Sequence, residues 1–169
     1  MNESALLAAV QDELEAQTWT GSSNVVFGTG SVLIVPDLAQ GLKWALESGV
    51  RTPLALIHPA AAESDPEFNE EPDFIRFSFP VLLATLVPGG AVGEEAVMGA
   101  NKTGGSTASE GRGIVEVSQE FYNAVGKLNA LEAVTLQVRQ VAEQGAAFKE
   151  PQSWIVYRIY MLEAFGSAT

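Results

Sequence analysis

The sequence has no cysteine and a single histidine, His58. Without cysteine the chain cannot form disulfides, present a thiolate nucleophile or build a cysteine-based zinc site. One histidine cannot supply the usual zinc ligand set either, so we expect no zinc centre. No serine stands in a Gly-x-Ser-x-Gly motif, and the Ile-His-Pro context of His58 matches no nucleophile motif. We interpret His58 as a structural residue at a strand end, and we expect neither an enzyme nor a bound cofactor.

Basic residues are scarce, with 9 Lys and Arg against 21 Asp and Glu and a net charge of −12. Tight binding to nucleic acid requires bases that replace phosphate counterions, so specific nucleic-acid binding is not expected. An acidic surface instead repels DNA and lets it slide past. Long apolar runs are also missing, which excludes a membrane span. The N-terminal stretch has acids within its apolar part and no basic region before it, which does not fit a secretory signal.

The remaining composition is typical of a folded protein, with 47% hydrophobic and 18% charged residues among 169. We expect a single domain spanning residues 1–169. Helical spacing of apolar residues predicts helices near residues 4–17, 37–48 and 114–131, with Asp37 as an N-cap of the second. The apolar positions that define them are Leu6, Leu7, Val10 and Leu14, then Leu38, Leu42, Ala45 and Leu46, then Val117, Phe121, Val125 and Leu128.

Strand-like runs lie at PLALIH, FIRFSFPVLLATLVP, AVTLQVRQVA and SWIVYRIYMLEAF, with shorter runs around Gly28 and Gly30. Pro80 lacks a backbone donor, which predicts an edge position or a bulge. The segment EQGAAFKEPQ, residues 143–152, is predicted to connect the last two strands. Because strands come in pairs and do not alternate with helices, we predict an α+β fold. It has a mainly antiparallel sheet of about four strands with helices packed against it.

Residues 88–113 form a glycine-rich stretch that contains 8 of the 16 glycines. Structureless loops longer than about 12–15 residues are uncommon inside compact domains and are usually functional or disordered. Its GANKTGGST segment departs from a phosphate-binding loop, since Gly105 stands where the lysine is required. We predict a flexible arm that becomes ordered on a partner protein, with Met98, Lys102 and Arg112 as candidate assembly contacts. The alternative is a tolerated insertion without a role.

Two further groups of side chains are candidates for contacts. Residues 59–73 contain six acids and no base, and their spacing does not fit a calcium-binding EF-hand loop. We interpret them as a solvated loop and as a candidate acidic lumen or rim: Glu63, Asp65, Glu67, Glu70, Glu71 and Asp73. The last strand carries Trp154, Tyr157 and Tyr160, for which we expect core packing together with protein–protein contacts.

The order of these elements resembles a known group of proteins. The layout comprises an amphipathic N-terminal helix, the strands TPLALIH and FIRFSFPVLLA, and the stretch RGIVEVSQEFYNAVGKLNAL leading into two final strands. It is similar to the tail terminator proteins of tailed bacteriophages, also called tail-completion or head–tail joining proteins. The resemblance covers most of the chain and is carried by order and pattern, since that group has no catalytic motif.

The resemblance implies a small α+β structural protein of the virion tail or neck, made in the cytoplasm of the host bacterium. It implies a ring of six copies that terminates the tail tube and joins it to the head-side connector, with DNA passing through the middle. The implied partners are the major tail tube protein and a head-closure or connector protein. Two alternatives stay open: another neck component, such as a head-closure or connector protein, and a small nucleotide-binding enzyme using residues 99–107.

Overall fold

A computed structural model describes residues 3–59, 62–63, 74–87, 97–98, 113–131, 135–149 and 153–167. Three helices and six strands lie within these ranges. The helices are α1 (Glu3–Ala16), α2 (Leu38–Glu47) and α3 (Ile114–Leu131). The strands are β1 (Val32–Ile34), β2 (Leu54–Ile57), β3 (Ala62–Glu63), β4 (Phe74–Val87), β5 (Thr135–Lys149) and β6 (Ser153–Ser167).

The strands form one sheet in the order β1-β2-β4-β6-β5, and the short β3 pairs with β4 beyond the end of β2. Only the β1–β2 pair is parallel, because α2 connects these strands as a crossover; the other pairs are antiparallel. This architecture confirms the predicted α+β class and the mainly antiparallel sheet. The described sheet has six strands, somewhat more than the predicted four.

Two sequence-based predictions about the sheet are wrong. Residues 143–149 belong to β5, which continues to Lys149 through a register shift between Gln140 and Gln144. Pro80 lies in β4, an interior strand between β2 and β6, with Met161 as its partner in β6. Its carbonyl accepts a hydrogen bond of 2.9 Å from the His58 backbone N–H, just past the end of β2. Because the N and O of one strand residue point the same way, the ring nitrogen faces the gap between β2 and β3, where no donor is required.

The sheet is covered on both sides by apolar side chains. On one side α1 and α3 pack over residues that alternate along β4, namely Phe77, Phe79, Val81 and Leu83. On the other side α2 covers Leu54 and Leu56 of β2 and Leu82 and Ala84 of β4. Burial of both faces explains why β4 changes from an alternating pattern to the continuous apolar run VLLA over residues 81–84. The four predicted core positions of α3, like those of α1, are all buried.

Local interactions fix the position of α2 against the sheet. The Asp37 carboxylate accepts a hydrogen bond of 2.7 Å from the Gln40 backbone N–H, which confirms the predicted N-cap. One turn further, Gly41 lies against Val35, and a Cβ built on Gly41 would stand 3.0 Å from both Val35 methyl groups. The helix can therefore approach β1 closely only because position 41 has no side chain.

A short turn structure follows α1 and packs against α3. Thr18 and Val25 form an isolated antiparallel bridge, and the Trp19 N–H donates to the Asn24 carbonyl at 3.0 Å. Gly21 adopts a φ of 76°, which allows the chain to reverse direction. We call residues Gln17–Val26 the α1–β1 turn. It lies on the α1/α3 side of the sheet, where Trp19 and Val26 enter the core.

Candidate interaction surfaces

A buried carboxylate connects the α1–β1 turn to α3. The Glu120 residue is 4% exposed, and its oxygens accept hydrogen bonds from Gln17 Nε2 at 2.9 Å and from the Thr20 backbone N–H at 2.8 Å. Asn123 Nδ2, one turn along α3, donates to the same carboxylate at 2.9 Å. These three donors come from two segments separated by about 100 residues in sequence, since Gln17 and Glu120 are 103 positions apart. The carboxylate thus holds the turn on the helix.

The electrostatics of Glu120 follow from this arrangement. Burial by itself would raise the pKa of the Glu120 carboxyl, but hydrogen bonds from the Thr20 side chain and backbone, Asn123 and Gln17 outweigh it. The pKa of Glu120 is therefore lowered, and the group is ionised at neutral pH. Lys127 extends the network, because its Nζ donates to Gln17 Oε1 at 2.6 Å and lies 3.4 Å from Glu13 Oε1.

An open pocket lies between the tip of the α1–β1 turn and α3. It has a volume of about 640 Å³ and is lined by Gln17, Thr18, Trp19, Thr20, Gly21, Ser22, Ser23, Asn123 and Lys127. We call it the turn pocket. Its lining includes four hydroxyl side chains, two amides and one ammonium, and the Lys127 side chain is 51% exposed at its rim. The hydrogen bonds of Glu120 with Gln17 and Thr20 of the turn and with Asn123 of α3 connect the two sides of this pocket.

Few large apolar side chains are exposed among the described residues. They are Val25, Ile34, Trp44, Met98 and Tyr122. Trp44 on α2 is the most exposed of them, at 56%. It lies outside the apolar face of α2 and next to the surface ion pair of Lys43 and Glu47, whose charged atoms are 3.9 Å apart. Trp44 is not among the contacts predicted from the sequence, although it stands off the apolar stripe of an otherwise amphipathic helix.

The structure places the predicted aromatic contacts on different sides of the sheet. Tyr157 is partly buried beside the apolar side chains that pack between α2 and the sheet, whereas Tyr160 is fully buried under α3. The Tyr160 ring lies 5.4 Å from Phe121 and 5.6 Å from Tyr122, measured between ring centroids. A contact between Tyr160 and a partner would therefore require α3 to move, and its role in this conformation is core packing. Trp154 is paired with Val87 in the sheet, but its side chain lies outside the described residues.

The hydroxyl of Tyr160 is an unusual group in this core. It is buried and has no hydrogen-bond partner. The neighbouring Tyr122 is partly exposed on α3, and burial together with the nearby Tyr160 hydroxyl raises the pKa of Tyr122, while Arg158 acts in the opposite direction. Tyr122 of α3 and Tyr160 and Arg158 of β6 lie where α3 packs on β6. Of the three, Tyr122 is the most exposed to solvent.

Most of the other candidate residues lie outside the described ranges. This holds for Lys102 and Arg112 of the glycine-rich stretch and for Asp65, Glu67, Glu70, Glu71 and Asp73 of the acidic run. Met98 is described, has a helical backbone together with Val97 and is 40% exposed, while Val97 packs against the core beneath α1 and α3. Glu63 lies in β3, where its backbone pairs with Arg76 of β4. The predicted arm at 88–113 and its assembly contacts stay predictions.

The single histidine lies where the sequence predicts it. His58 follows the end of β2, as predicted, with Nδ1 3.1 Å from the Val35 carbonyl oxygen. Within the described ranges, no three His, Asp or Glu side chains come together as a metal-binding group. None of the three described helices has the length and hydropathy needed to cross a bilayer.

A scan against protein-family models finds no match to the chain, and a search of curated proteins finds no significant match.

Proposed function

We propose that this protein is a structural component of a bacteriophage tail or neck, a tail terminator that acts as a ring of six copies. The ring closes the end of the tail tube and joins it to the head-side connector. The observation that carries the proposal is the order of elements along the chain. The helix of the stretch IVEVSQEFYNAVGKLNAL, α3, directly precedes the long antiparallel pair β5–β6, the arrangement on which the resemblance to tail terminators rests.

The dimensions of the sheet support a role in assembly. Three adjacent strands, β4, β6 and β5, have 14, 15 and 15 residues. Strands in globular proteins commonly have about five or six residues, at roughly 3.3 Å each, so these strands extend to about 50 Å. An extended sheet of this kind gives a subunit a long body with distinct sides for different neighbours.

The charge distribution also supports the proposal. Three described basic side chains are paired with acids of the same chain: Lys43 with Glu47, Arg76 with Glu163 and Lys127 with Glu13. Pairing reduces the positive charge available for phosphate groups, and the chain has an excess of 12 acids. DNA moving through a ring of such subunits would meet little that holds it.

The direct test is to add the purified protein to polymerising major tail tube protein from the same phage genome and to image the tubes. We expect the protein at one end of each tube, with growth stopped at that end. Tubes of unchanged length with bare ends would contradict the proposal. Nucleotide titration by calorimetry tests the enzyme alternative, and we expect no heat of binding.

A second experiment addresses the glycine-rich stretch. Deletion of residues 91–110 is expected to leave the subunit folded, because the described core draws on this stretch only through Val97, and to weaken assembly on the tube. Circular dichroism checks the fold of the deletion variant, and tube capping measures its assembly. Full capping by a folded deletion variant would show that the stretch is a tolerated insertion.

A further inference from the structure

β1 is an edge strand of the sheet, since within the described part of the chain it pairs only with β2. The Ser31 carbonyl accepts a hydrogen bond from β2 at 2.9 Å, and the Val35 N–H donates to a carbonyl of β2 at 2.8 Å. Because successive residues of a strand direct their backbone groups to opposite sides, those of Val32 and Ile34 point away from β2. Backbone groups at such an edge are a template to which a strand of another chain can add.

A side chain of α1 occupies the outward carbonyl of Val32. Gln11 Nε2 donates to this carbonyl at 2.9 Å, across 21 positions of the sequence. The position of Gln11 is fixed by its neighbours Val10 and Leu14, which are both buried in the core beneath α1. Val32 is fully buried although it lies at the edge, whereas Ile34 is 41% exposed. α1 therefore covers the edge at Val32 and leaves it open at Ile34.

The three residues of β1 define how a second copy would pair with this edge. In an antiparallel pair centred on Leu33, Val32 of each copy lies opposite Ile34 of the other. Each of these two opposed pairs exchanges two hydrogen bonds, so the arrangement has four. Two of the four require the Val32 carbonyl as their acceptor, and Gln11 Nε2 holds that position in both copies. The amide of Gln11 therefore removes half of the main-chain hydrogen bonds that this edge could form.

We propose that Gln11 closes the β1 edge of the sheet against the addition of a strand from a second copy of this chain. Very short edge strands and a covering helix are among the means by which soluble proteins prevent association through sheet edges. β1 has three residues and lies beside α1, so both means are present. The inference does not depend on the proposed function, because it concerns only α1 and the edge next to it.

The absence of cysteine allows the edge to be tested by selective cross-linking. Ile34→Cys places a thiol on the exposed part of the edge. In the paired arrangement the thiols of two copies are diagonal neighbours, with Cβ atoms about 7–8 Å apart, which a short bismaleimide linker can span. We expect little linking of Ile34→Cys alone and a prominent linked dimer when Gln11→Ala is added. Gln11→Met keeps the length of the side chain without its donor and is expected to act like Gln11→Ala.

Analytical ultracentrifugation gives the size of the effect. The two hydrogen bonds that become available should raise the association constant of the Gln11→Ala protein by about 30-fold over the wild type. Gln11→Lys supplies a different donor that can reach the Val32 carbonyl, and it is expected to keep the edge closed. Gln40→Ala serves as the matched control, because it shortens an exposed glutamine of α2 that contributes only its backbone N–H to the helix cap.

The outcomes separate this role from a purely structural one, and circular dichroism establishes that each variant is folded. If the amide only satisfies a buried carbonyl, folded Gln11→Ala and Gln11→Met proteins will be less stable but will stay uncross-linked, and the inference is overturned. Linking of Gln11→Lys as strong as that of Gln11→Ala would also overturn it, because a donor at this position would then not matter.

Discussion

Replacement of Glu120 by glutamine tests whether the carboxylate holds the α1–β1 turn on α3. One carboxylate oxygen accepts from Gln17 and Asn123, and the other accepts from the Thr20 backbone N–H. The amide of Glu120→Gln keeps a single oxygen, so one of these donors would face an NH₂ group and lose its acceptor. Leaving one buried donor unpaired costs about 1–3 kcal/mol. We expect the free energy of unfolding at neutral pH to fall by about 2 kcal/mol.

The pH dependence of this loss provides a sharper measurement. Hydrogen bonds to the ionised form lower the pKa of Glu120 below its ordinary value of 4.5. A carboxyl with a lowered folded-state pKa contributes stability above its unfolded-state pKa and loses that contribution as the pH falls through the folded-state value. Glutamine does not titrate. The difference in the free energy of unfolding between the wild type and Glu120→Gln should therefore have its largest value at neutral pH. It should become smaller as the pH falls below 4.5.

The assay is urea unfolding of both proteins, followed by circular dichroism at neutral pH and at several lower values. The slope of unfolding free energy against urea should be the same for both proteins, since the folded core is unchanged. Asp12→Asn is the control, because it removes one negative charge from the exposed side of α1. Equal stability of Glu120→Gln and the wild type at neutral pH would refute the reasoning. A difference that does not depend on pH would refute the assignment of the lowered pKa.

Three further substitutions test the packing, each by thermal unfolding. Gly41→Ala should lower stability by about 1–2 kcal/mol, because its Cβ would meet Val35 at 3.0 Å; a gain would show that α2 can move away freely. Gly126→Ala on α3, where a Cβ meets nothing within 4 Å, should raise stability by about 0.5–1 kcal/mol, and a loss would contradict the open surface there. Tyr160→Phe removes a buried hydroxyl without a partner and should leave stability unchanged or raise it by up to about 1 kcal/mol. A clear loss would mean that the hydroxyl is hydrogen-bonded.

Local patterns in the sequence predicted the helices and most of the strands. The spacing of Val117, Phe121, Val125 and Leu128 identified the buried face of α3, because helical periodicity reports which side faces the core. Asp37 was predictable as an N-cap, since that role depends on the residues that immediately follow it. These successes share one property: the information lies within a few residues of each position.

The errors arose where distant parts of the chain decide the outcome. β5 resumes after its register shift and continues through Gly145, a weak strand former, because Gly145 pairs with Tyr157 of β6. Pro80 is tolerated in the interior strand β4 because β2 ends and β3 begins beside it, which is a property of the assembled sheet. Local sequence could not indicate either arrangement.

The candidate surfaces also differ in whether nearby residues or distant parts of the chain determine them. Trp44 could have been found from the sequence, as a large apolar residue off the apolar stripe of α2. Glu120 could not, since its partners Gln17 and Thr20 lie about 100 residues away and only folding brings them together. The turn pocket depends on the same long-range contact and was equally invisible.

We propose that the protein works by assembling with copies of itself on the tail tube. Native mass measurement of the protein, alone and after release from tubes, tests this claim most directly. We expect a closed species of six 17.9 kDa subunits, about 107 kDa, in the material released from the tubes. A single 17.9 kDa species in both samples would contradict the account.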